Sequence, residues 1–371
     1  MTLLFVGMGF MTLLAATTLA IDVGMFMTAR SQAQNAADAG ALGGATALVF
    51  NNYDDRSVSG PAVQSAINTA LANTVMANTV SVQPADVTFP LGPDGQANRV
   101  RVNVFRVSNR SNPVATFIGP IFGVPTVDIS ATATAEASLA NAQSCVKPFT
   151  IPDRWQENSD GTTWTTNSTY DLYDQHGNPL PDADRYIPAD QPGYTGYDAV
   201  RDKGMSLTIR AGTGNNVAPS FYWSWAMPGG TGGDFYRDNI ANCNNTVMHF
   251  GDPMTQEPGN MVGPTNQGID DLIAQDPGAE WVGGIGGSVS STMHPSPRVF
   301  PIPLYDPDYY ETGIQQGRVA TLRMANWIGF FVERRSGNNV YGRITPISGL
   351  VDGGAGPAPA GAFPKVIRLV Q

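Results

Sequence analysis

The chain begins with a continuous run of apolar residues. Met1–Ile21 reads MTLLFVGMGFMTLLAATTLAI and contains no charged residue and no proline. A helix over this run would be about 31 Å long, enough to cross the hydrocarbon core of a bilayer. The first basic residue, Arg30, follows the run, whereas a secretory signal would start with a basic segment. The pattern therefore predicts a membrane-like helix that stays on the protein.

Two rows of small residues continue the helical pattern. The first row repeats every four positions and the second lies beside it: Ala29, Ala33, Ala37, Ala41 and Ala45, then Ala36, Gly40 and Gly44. Residues four apart share one face of a helix, and a face of small residues lets another backbone approach closely. Because the first proline is Pro61, we predict one helix of roughly 45 to 50 residues.

The sequence leaves open what covers this small face. It could meet the same helix in a neighbouring copy, or it could pack on the globular part of its own chain. Asp22 poses a similar question at the end of the apolar run. It could lie at a lipid headgroup boundary, where a carboxylate costs little, or it could make a polar contact with a neighbouring subunit.

The following segment predicts a small mixed unit. Pro61–Val80 carries apolar residues at helical spacing behind a proline that suits the first helical position. In NRVRVNVFRV three valines alternate with polar residues, and TVDISATATAEA alternates again. Alternation of this kind is typical of half-buried antiparallel strands.

The amino-acid composition changes at about Cys145, where Gly, Pro, Asp, Asn and aromatic residues become frequent. Apolar runs predict strands at Met205–Ala211, Ser220–Met227, Arg298–Leu304, Arg318–Arg334, Val340–Ile347 and Lys365–Val370. TNQGIDDLIAQD predicts a helix with Thr265 as its N-cap. The predicted fold is α+β, in three parts: a long hydrophobic N-terminal helix (1-50), a small antiparallel-sheet headgroup (51-140) and a β-rich, loop-rich domain (141-371).

Charge and cysteine count narrow the class of protein. A net charge of -10 and the lack of a basic run argue against a nucleic-acid partner. The 41 glycines and 28 prolines, with 14% charged residues, favour a turn-rich extracytoplasmic protein. In such a protein Cys145 and Cys243 could form one disulfide, and two separate buried thiols are the alternative.

No catalytic motif stands out in the sequence. His176, His249 and His294 lack ligand spacing, and the chain has no nucleophile elbow, zinc-protease motif or phosphate loop. We therefore expect neither an enzyme nor a cofactor. The loops YDQHGNPLPDADR and YDPDYY could offer oxygens to Ca²⁺, although neither fits an EF-hand. FYWSWAM predicts an aromatic core strand, with a sugar-stacking platform as the alternative.

The segment AIDVGMFMTARSQAQNAADAGALGGA, Ala20–Ala45, resembles the N-terminal domain of TadE/TadG-like proteins of Flp (Tad) pilus systems. The similarity extends more loosely to about Ala140, and CVKPFTIPDRW and GPTNQGIDDLIAQDPGAEW resemble stretches of larger members. It implies a pilin-like headgroup and an anchored or pilin-like component of an adhesive filament system. Pilins usually carry a glutamate at the fifth mature position, where this chain has Phe5 if Met1 is the mature start.

The resemblance leads to one main expectation and two alternatives. The main expectation is a pilin-like subunit of a bacterial extracellular filament, inserted in the inner membrane before assembly. Its partners would be copies of itself and other pilus-system components. The residues expected to pack the helices in assembly are Phe5, Asp22, Ala29, Ala33, Ala36, Ala37, Gly40, Ala41 and Gly44. The alternatives are a membrane-anchored assembly factor that does not polymerise, and a surface adhesin or carbohydrate-binding module on a membrane stalk.

Overall fold

The chain folds into two compact units. The computed structural model describes residues 2–92, 95–158, 163–212, 216–293, 295–317 and 321–370, apart from the side chains of residues 3, 4, 14, 15, 18, 19 and 122. Unit 1 comprises Met1–Ser138 and Ile367–Gln371, and unit 2 comprises Leu139–Val366. Unit 2 is thus an insertion in the chain of unit 1. The three-part division of the sequence remains an interpretation of its patterns.

The elements are numbered in chain order. The α-helices are α1 (Thr2–Phe50), α2 (Pro61–Leu71), α3 (Gly233–Ala241), α4 (Val262–Gln275) and α5 (Pro307–Gln315). The strands are β1 (Thr74–Val75), β2 (Asn78–Thr79), β3 (Val87–Thr88), β4 (Arg99–Arg106), β5 (Val114–Ala115), β6 (Thr126–Val127), β7 (Ile129–Leu139), β8 (Ala142–Gln143), β9 (Phe149–Pro152), β10 (Ser206–Ala211), β11 (Phe221–Ser224), β12 (Met248–His249), β13 (Pro253–Thr255), β14 (Glu280–Val282), β15 (Ser288–Ser290), β16 (Val299–Tyr305), β17 (Thr321–Ser336), β18 (Asn339–Thr345) and β19 (Lys365–Val370).

The long N-terminal helix is confirmed, because α1 runs without interruption over 49 residues. It contains no proline, and its many Ala, Leu and Met residues favour a helix. Within the part of the chain that the structure describes, no helix is both long enough and apolar enough to cross a membrane. The expected membrane span over Met1–Ile21 is therefore not confirmed.

Unit 1 packs the second half of α1 against α2 and a four-stranded sheet of order β19-β7-β4-β3. The pairs β3–β4 and β4–β7 are antiparallel. Val100, Val102 and Val104 of β4 are all fully buried at alternate positions, which confirms the predicted half-buried strand. The helix expected to reach Val80 ends at Leu71, because Met76 and Ala77 adopt positive φ in the turn of a small hairpin, β1–β2.

The small residues of α1 form its contact with the rest of unit 1. The alanines of both rows are buried: Ala29, Ala33, Ala36, Ala37, Ala41 and Ala45. A Cβ added at Gly40 would lie 3.0 Å from the Cβ of Ala70, and one added at Gly44 would lie 2.7 Å from Cγ1 of Val100. Gly40 and Gly44 thus pack within the chain, which is one of the two alternatives left by the sequence, and the contact expected between copies stays a prediction.

Unit 2 is built on a sheet that closes on itself. Its order is β17-β16-β9-β11-β10-β18, β18 pairs back with β17, and β13 pairs with the first three residues of β17. The pairs β9–β16 and β10–β11 are parallel, and the others are antiparallel. Five of the predicted strands are confirmed here with shifted ends, although the start predicted at Arg318 lies outside the described residues. The strand predicted at Lys365–Val370 is confirmed with the same bounds as β19, which pairs in the sheet of unit 1.

Aromatic side chains fill the interior of unit 2. Trp155 meets the rings of Trp164 and Tyr170 edge-on, with centroids 6.1 and 5.3 Å away, a geometry that aromatic pairs favour. The helix predicted from TNQGIDDLIAQD is confirmed as α4, but Thr265 is not its N-cap. The helix begins at Val262, so the hydroxyl of Thr265 lies inside it and donates to the carbonyl of Met261 at 2.7 Å.

Substitution of Gly44 tests the packing of α1 within unit 1. In Gly44→Leu the added side chain meets Val100 and α2, and such overpacking typically costs ~1–3 kcal/mol. Gly24→Leu is the matched control, because nothing lies within 4 Å of a Cβ at Gly24. We expect faster hydrogen exchange in the α2 amides of Gly44→Leu only. Equal protection in the two variants would show that α2 does not cover this face.

Candidate functional site

The first half of α1 exposes large apolar side chains. We call the following set the apolar stem: Phe5, Val6, Met8, Phe10, Met11, Leu13 and Ile21. Phe5 is 67% exposed. A contiguous apolar surface of this kind usually marks contact with a membrane or another protein. The two halves of α1 therefore meet different surroundings, because the small-residue half is buried in unit 1.

Three threonines of this region satisfy their hydroxyls within the helix. Thr12 donates to the carbonyl of Met8 at 2.8 Å, and Thr28 donates to that of Gly24 at 2.9 Å. Thr17 makes the same bond to Leu13. Hydroxyls bonded to the carbonyl four residues earlier need no partner from outside. The polar atoms of these side chains are thus compatible with an apolar environment.

Asp22 is buried at the end of the stem and holds a distant loop. One carboxylate oxygen accepts the backbone N–H of Phe117 at 2.9 Å, and the other accepts those of Ile118 and Gly119 at 3.2 and 3.0 Å. Only 8% of Asp22 is exposed. Its partners are peptide groups of unit 1, a contact that the sequence does not indicate, and its place at a headgroup boundary or against a neighbouring subunit stays a prediction. Nothing in the local sequence indicates a partner nearly a hundred residues away.

The loop that Asp22 holds comprises Thr116–Pro125, and we call it the 116–125 loop. Its backbone is closed internally: Thr116 donates to Pro125 at 3.1 Å, and Val124 donates to Gly119 at 2.8 Å. Two of its large apolar side chains point outward, since Phe117 is 72% and Ile121 is 79% exposed. The loop thus adds a second exposed apolar surface beside α1.

Unit 2 contains the predicted disulfide between Cys145 and Cys243, whose Cα atoms are 4.5 Å apart. It joins the segment before β9 to the segment after α3. Cys145 adopts φ of 56°, and its N–H donates to the carbonyl of Asn244 at 2.9 Å. The backbone bond and the bridge together fix this crossing of two chain segments.

We expect the disulfide to contribute strongly to the stability of unit 2. The two cysteines are separated by 98 residues, and closing a loop of about 100 residues is worth up to about 4.7 kcal/mol. Cys145→Ser/Cys243→Ser should therefore unfold at markedly lower urea concentration. The reduced wild-type protein, as the control, should match this variant. Free labelling of the unreduced native protein by a thiol reagent would show that the bridge is absent.

Asp153 is a fully buried carboxylate in unit 2. It accepts hydrogen bonds from the hydroxyls of Tyr186 and Tyr194, at 3.0 and 2.8 Å, and from the N–H groups of Arg154 and Tyr197. Burial raises the pKa of Asp153 to about 6, although these hydrogen bonds oppose the shift. The arrangement is structural, because its partners are core residues of the unit.

This raised pKa predicts a pH dependence of stability. Between pH ~4 and ~6 the folded state holds a proton that the unfolded state releases, so the free energy of unfolding falls as pH rises. Above pH 6 the free energy of unfolding is therefore lower than below pH 4 by about 3 kcal/mol. Asp153→Asn should flatten this part of the urea-unfolding profile. The exposed-site control Asp182→Asn should keep the wild-type slope, and an unchanged slope in Asp153→Asn would contradict the assignment.

Unit 2 also contains a cleft of about 440 Å³. His249 lies in it, with Nε2 2.9 Å from a carboxylate oxygen of Asp352 and Nδ1 3.7 Å from one of Asp252. The described residues that line the cleft include no serine, cysteine or lysine to act as a nucleophile. The expectation that the chain is not an enzyme stays a prediction.

The loops considered for calcium use their carboxylates locally. Asp174 accepts the N–H groups of His176 and Asn178, and Asp306 accepts that of Tyr309 at 2.9 Å as the N-cap of α5. No group of three or more potential metal ligands occurs among the described residues. His294 lies outside them, and the absence of a cofactor remains an expectation.

The aromatic segment FYWSWAM includes β11. Tyr222 and Trp225 are 4% and 1% exposed and belong to the core of unit 2. Trp223 is half-buried and packs near Tyr310. The predicted core strand is thus confirmed, and these rings do not form an open platform for a sugar.

Comparison with known proteins gives a family for the N-terminal helix. Residues 1–47 match the protein family described as "Putative Flp pilus-assembly TadE/G-like". The matched segment includes the apolar stem, Asp22 and both rows of small residues. Comparison with curated proteins gives no match, and comparison with solved structures gives none either.

Proposed function

We propose that this protein is a non-enzymatic structural component of the Flp/Tad pilus system, held in the inner membrane by the first half of α1. The similarity of residues 1–47 to a Flp pilus-assembly family supports the pilus assignment. The observation that carries the proposal is the division of α1 into a half buried in unit 1 and a half that exposes the apolar stem.

The energetics of the stem favour an apolar environment. Burying one large apolar side chain is worth about 1.5–3 kcal/mol, so removing the whole stem from water would release on the order of 10 kcal/mol. The stem contains no charged side chain to oppose this transfer. The hydroxyls of Thr12 and Thr17, which lie in the same half of α1, already have partners within the helix. A bilayer provides the surroundings that this half of α1 lacks in water.

The packing of α1 supports an anchored component over a polymerising one. The small face, which a neighbouring copy would have to approach, is covered by α2 and β4. A copy could reach Gly40 or Gly44 only if these elements moved away. The protein is therefore proposed as an anchored assembly component, with unit 2 as the part that meets other components of the system.

A polymerising pilin-like subunit is the second candidate, and the shape of the stem favours it. At 100° per residue, the exposed residues Phe5, Val6 and Met8 point to different sides of α1. Phe10, Met11 and Leu13 add further directions, so the stem is apolar all round. A helix surrounded by its own copies in a filament core would need the same property.

Removal of the stem tests the anchoring. A variant lacking Met1–Ala20 should leave the membrane fraction, because the apolar surface has been removed while the packed half of α1 from Ala29 onward is retained. Formation of the Cys145–Cys243 disulfide in the variant serves as the folding control. A folded variant that stays with the membrane would contradict the proposed role of the stem.

Sheared surface material distinguishes the two candidates. Immunogold labelling of unit 2 in electron micrographs should leave filaments unlabelled along their length if the protein is an anchored component. Regular labelling along the filaments would overturn the anchored component and support the polymerising subunit.

A further inference from the structure

We propose that the 116–125 loop is a second membrane contact, which Asp22 holds against the headgroup region of a lipid bilayer beside the stem. This inference rests on the proposed anchoring and extends it from α1 to the globular part of unit 1. Asp22 acts here as a positioning residue, because its carboxylate binds the loop backbone and leaves the apolar side chains outside.

The side chains of the loop suit a lipid surface. Phe117, Ile121 and Val124 are 72%, 79% and 50% exposed. No charged residue occurs from Ser111 to Val127, and none occurs in the run that precedes Asp22. The one charge where these segments meet is the Asp22 carboxylate, which three peptide N–H groups surround. The combined surface is therefore uncharged on its exposed side.

Backbone N–H groups of the loop also have hydrogen-bond partners, as an apolar environment requires. An unsatisfied N–H costs several kcal/mol in lipid, so loops near the hydrocarbon need internal partners. Thr116, Ile121 and Val124 donate their N–H groups to carbonyls of the loop. The hydroxyl of Thr116 donates to the carbonyl of Val124 at 2.6 Å. Asp22 accepts the N–H groups of the three residues that follow Thr116.

The position of the loop along α1 matches the edge of a bilayer. Asp22 follows the apolar run of α1 and lies about 30 Å along the helix from Thr2, so under the proposed anchoring the loop lies at the end of the inserted segment. Arg30 is the next charged residue on α1 and is exposed, about 12 Å beyond Asp22. A guanidinium at this height can meet anionic headgroups, which attract basic residues near the surface.

A lipid surface fits these observations better than a second copy of the chain. Contacts between proteins carry about one hydrogen bond per 100–200 Å² and a polar rim. The N–H donors named above are already used, and the exposed side chains of Phe117, Ile121 and Val124 are apolar, so none of these groups offers a protein partner a hydrogen bond. Lipid is therefore the occupant we infer, and a neighbouring copy becomes an outcome of the test.

Fluorescent labels on the full chain can test this contact. Ile121→Cys and Phe10→Cys would be labelled with an environment-sensitive nitrobenzoxadiazole dye, while the native cysteines stay joined in their disulfide. Ile285→Cys is the matched control, because Ile285 is 84% exposed in unit 2. The proteins would be placed in phosphatidylcholine/phosphatidylglycerol vesicles that contain lipids spin-labelled near the headgroup to report on position 121, or in the acyl chain to report on position 10, which lies about 18 Å along α1 from Asp22. We expect blue-shifted, quenched emission at positions 121 and 10, and neither effect at 285.

Loss of the Asp22 carboxylate should release the loop without removing the anchor. In Asp22→Ala the lipid quenching at position 121 should be lost, while that at position 10 stays. If Asp22→Ala does not fold, Phe117→Ser provides the second variant, because it removes an apolar contact and leaves the loop backbone intact. Quenching at position 121 should then fall relative to the unsubstituted loop. Unchanged quenching in the folded variants would overturn the positioning role.

The remaining outcomes separate this inference from the proposed anchoring. Quenching at position 10 without quenching at 121 would overturn the loop contact and leave the anchoring in place. No quenching at either position would overturn both. A blue shift at 121 that grows with the protein-to-lipid ratio, without lipid quenching, would replace lipid by a second copy of the chain.

Discussion

The close approach of α1 to α2 and β4 is the contact on which the rest of unit 1 depends. Gly40 and Gly44 remove two side chains where the helix meets Ala66, Ala70 and the valines of β4. The second half of α1 can then lie flat on the unit and bury its alanines. Because a helix is rigid over this length, fixing its second half also fixes the direction in which the apolar stem leaves the unit. One packed face therefore serves both the fold and the proposed anchor.

The sequence predicts most local elements but not their pairing. The valine alternation in β4 and the apolar runs in β16–β18 identify strands because their side chains repeat every second residue. The closure of the sheet depends on pairs distant in sequence, such as Phe149 with Ser224, and no local period reports them. The four-residue strand β9 is also too short to show a period. The capping signal of Asp306 before a proline does predict α5, and a search for caps would have found that helix.

The candidate site shows a similar limit. The small rows of α1 indicate that a backbone comes close, but they do not identify which backbone, because Gly and Ala suit a neighbouring copy and the chain's own core equally. Asp22 stands out in the sequence as a carboxylate at the end of an uncharged run. Its partners, Phe117 to Gly119, contribute only peptide N–H groups, which every residue except proline possesses. A contact made to backbone leaves no signature in the side chains of its partner.

The last strand completes the unit that carries the proposed anchor. Arg368 of β19 lies 3.1 Å from the buried carboxylate of Glu136, and Arg99 of β4 binds the same group at 2.9 Å. Burial alone would raise the pKa of Glu136, but the hydrogen bonds from the two arginines lower it below its usual value. The charged carboxylate of β7 thus holds both β4 and β19. Since unit 2 is inserted before β19, unit 1 acquires its full sheet only after unit 2 has been synthesised.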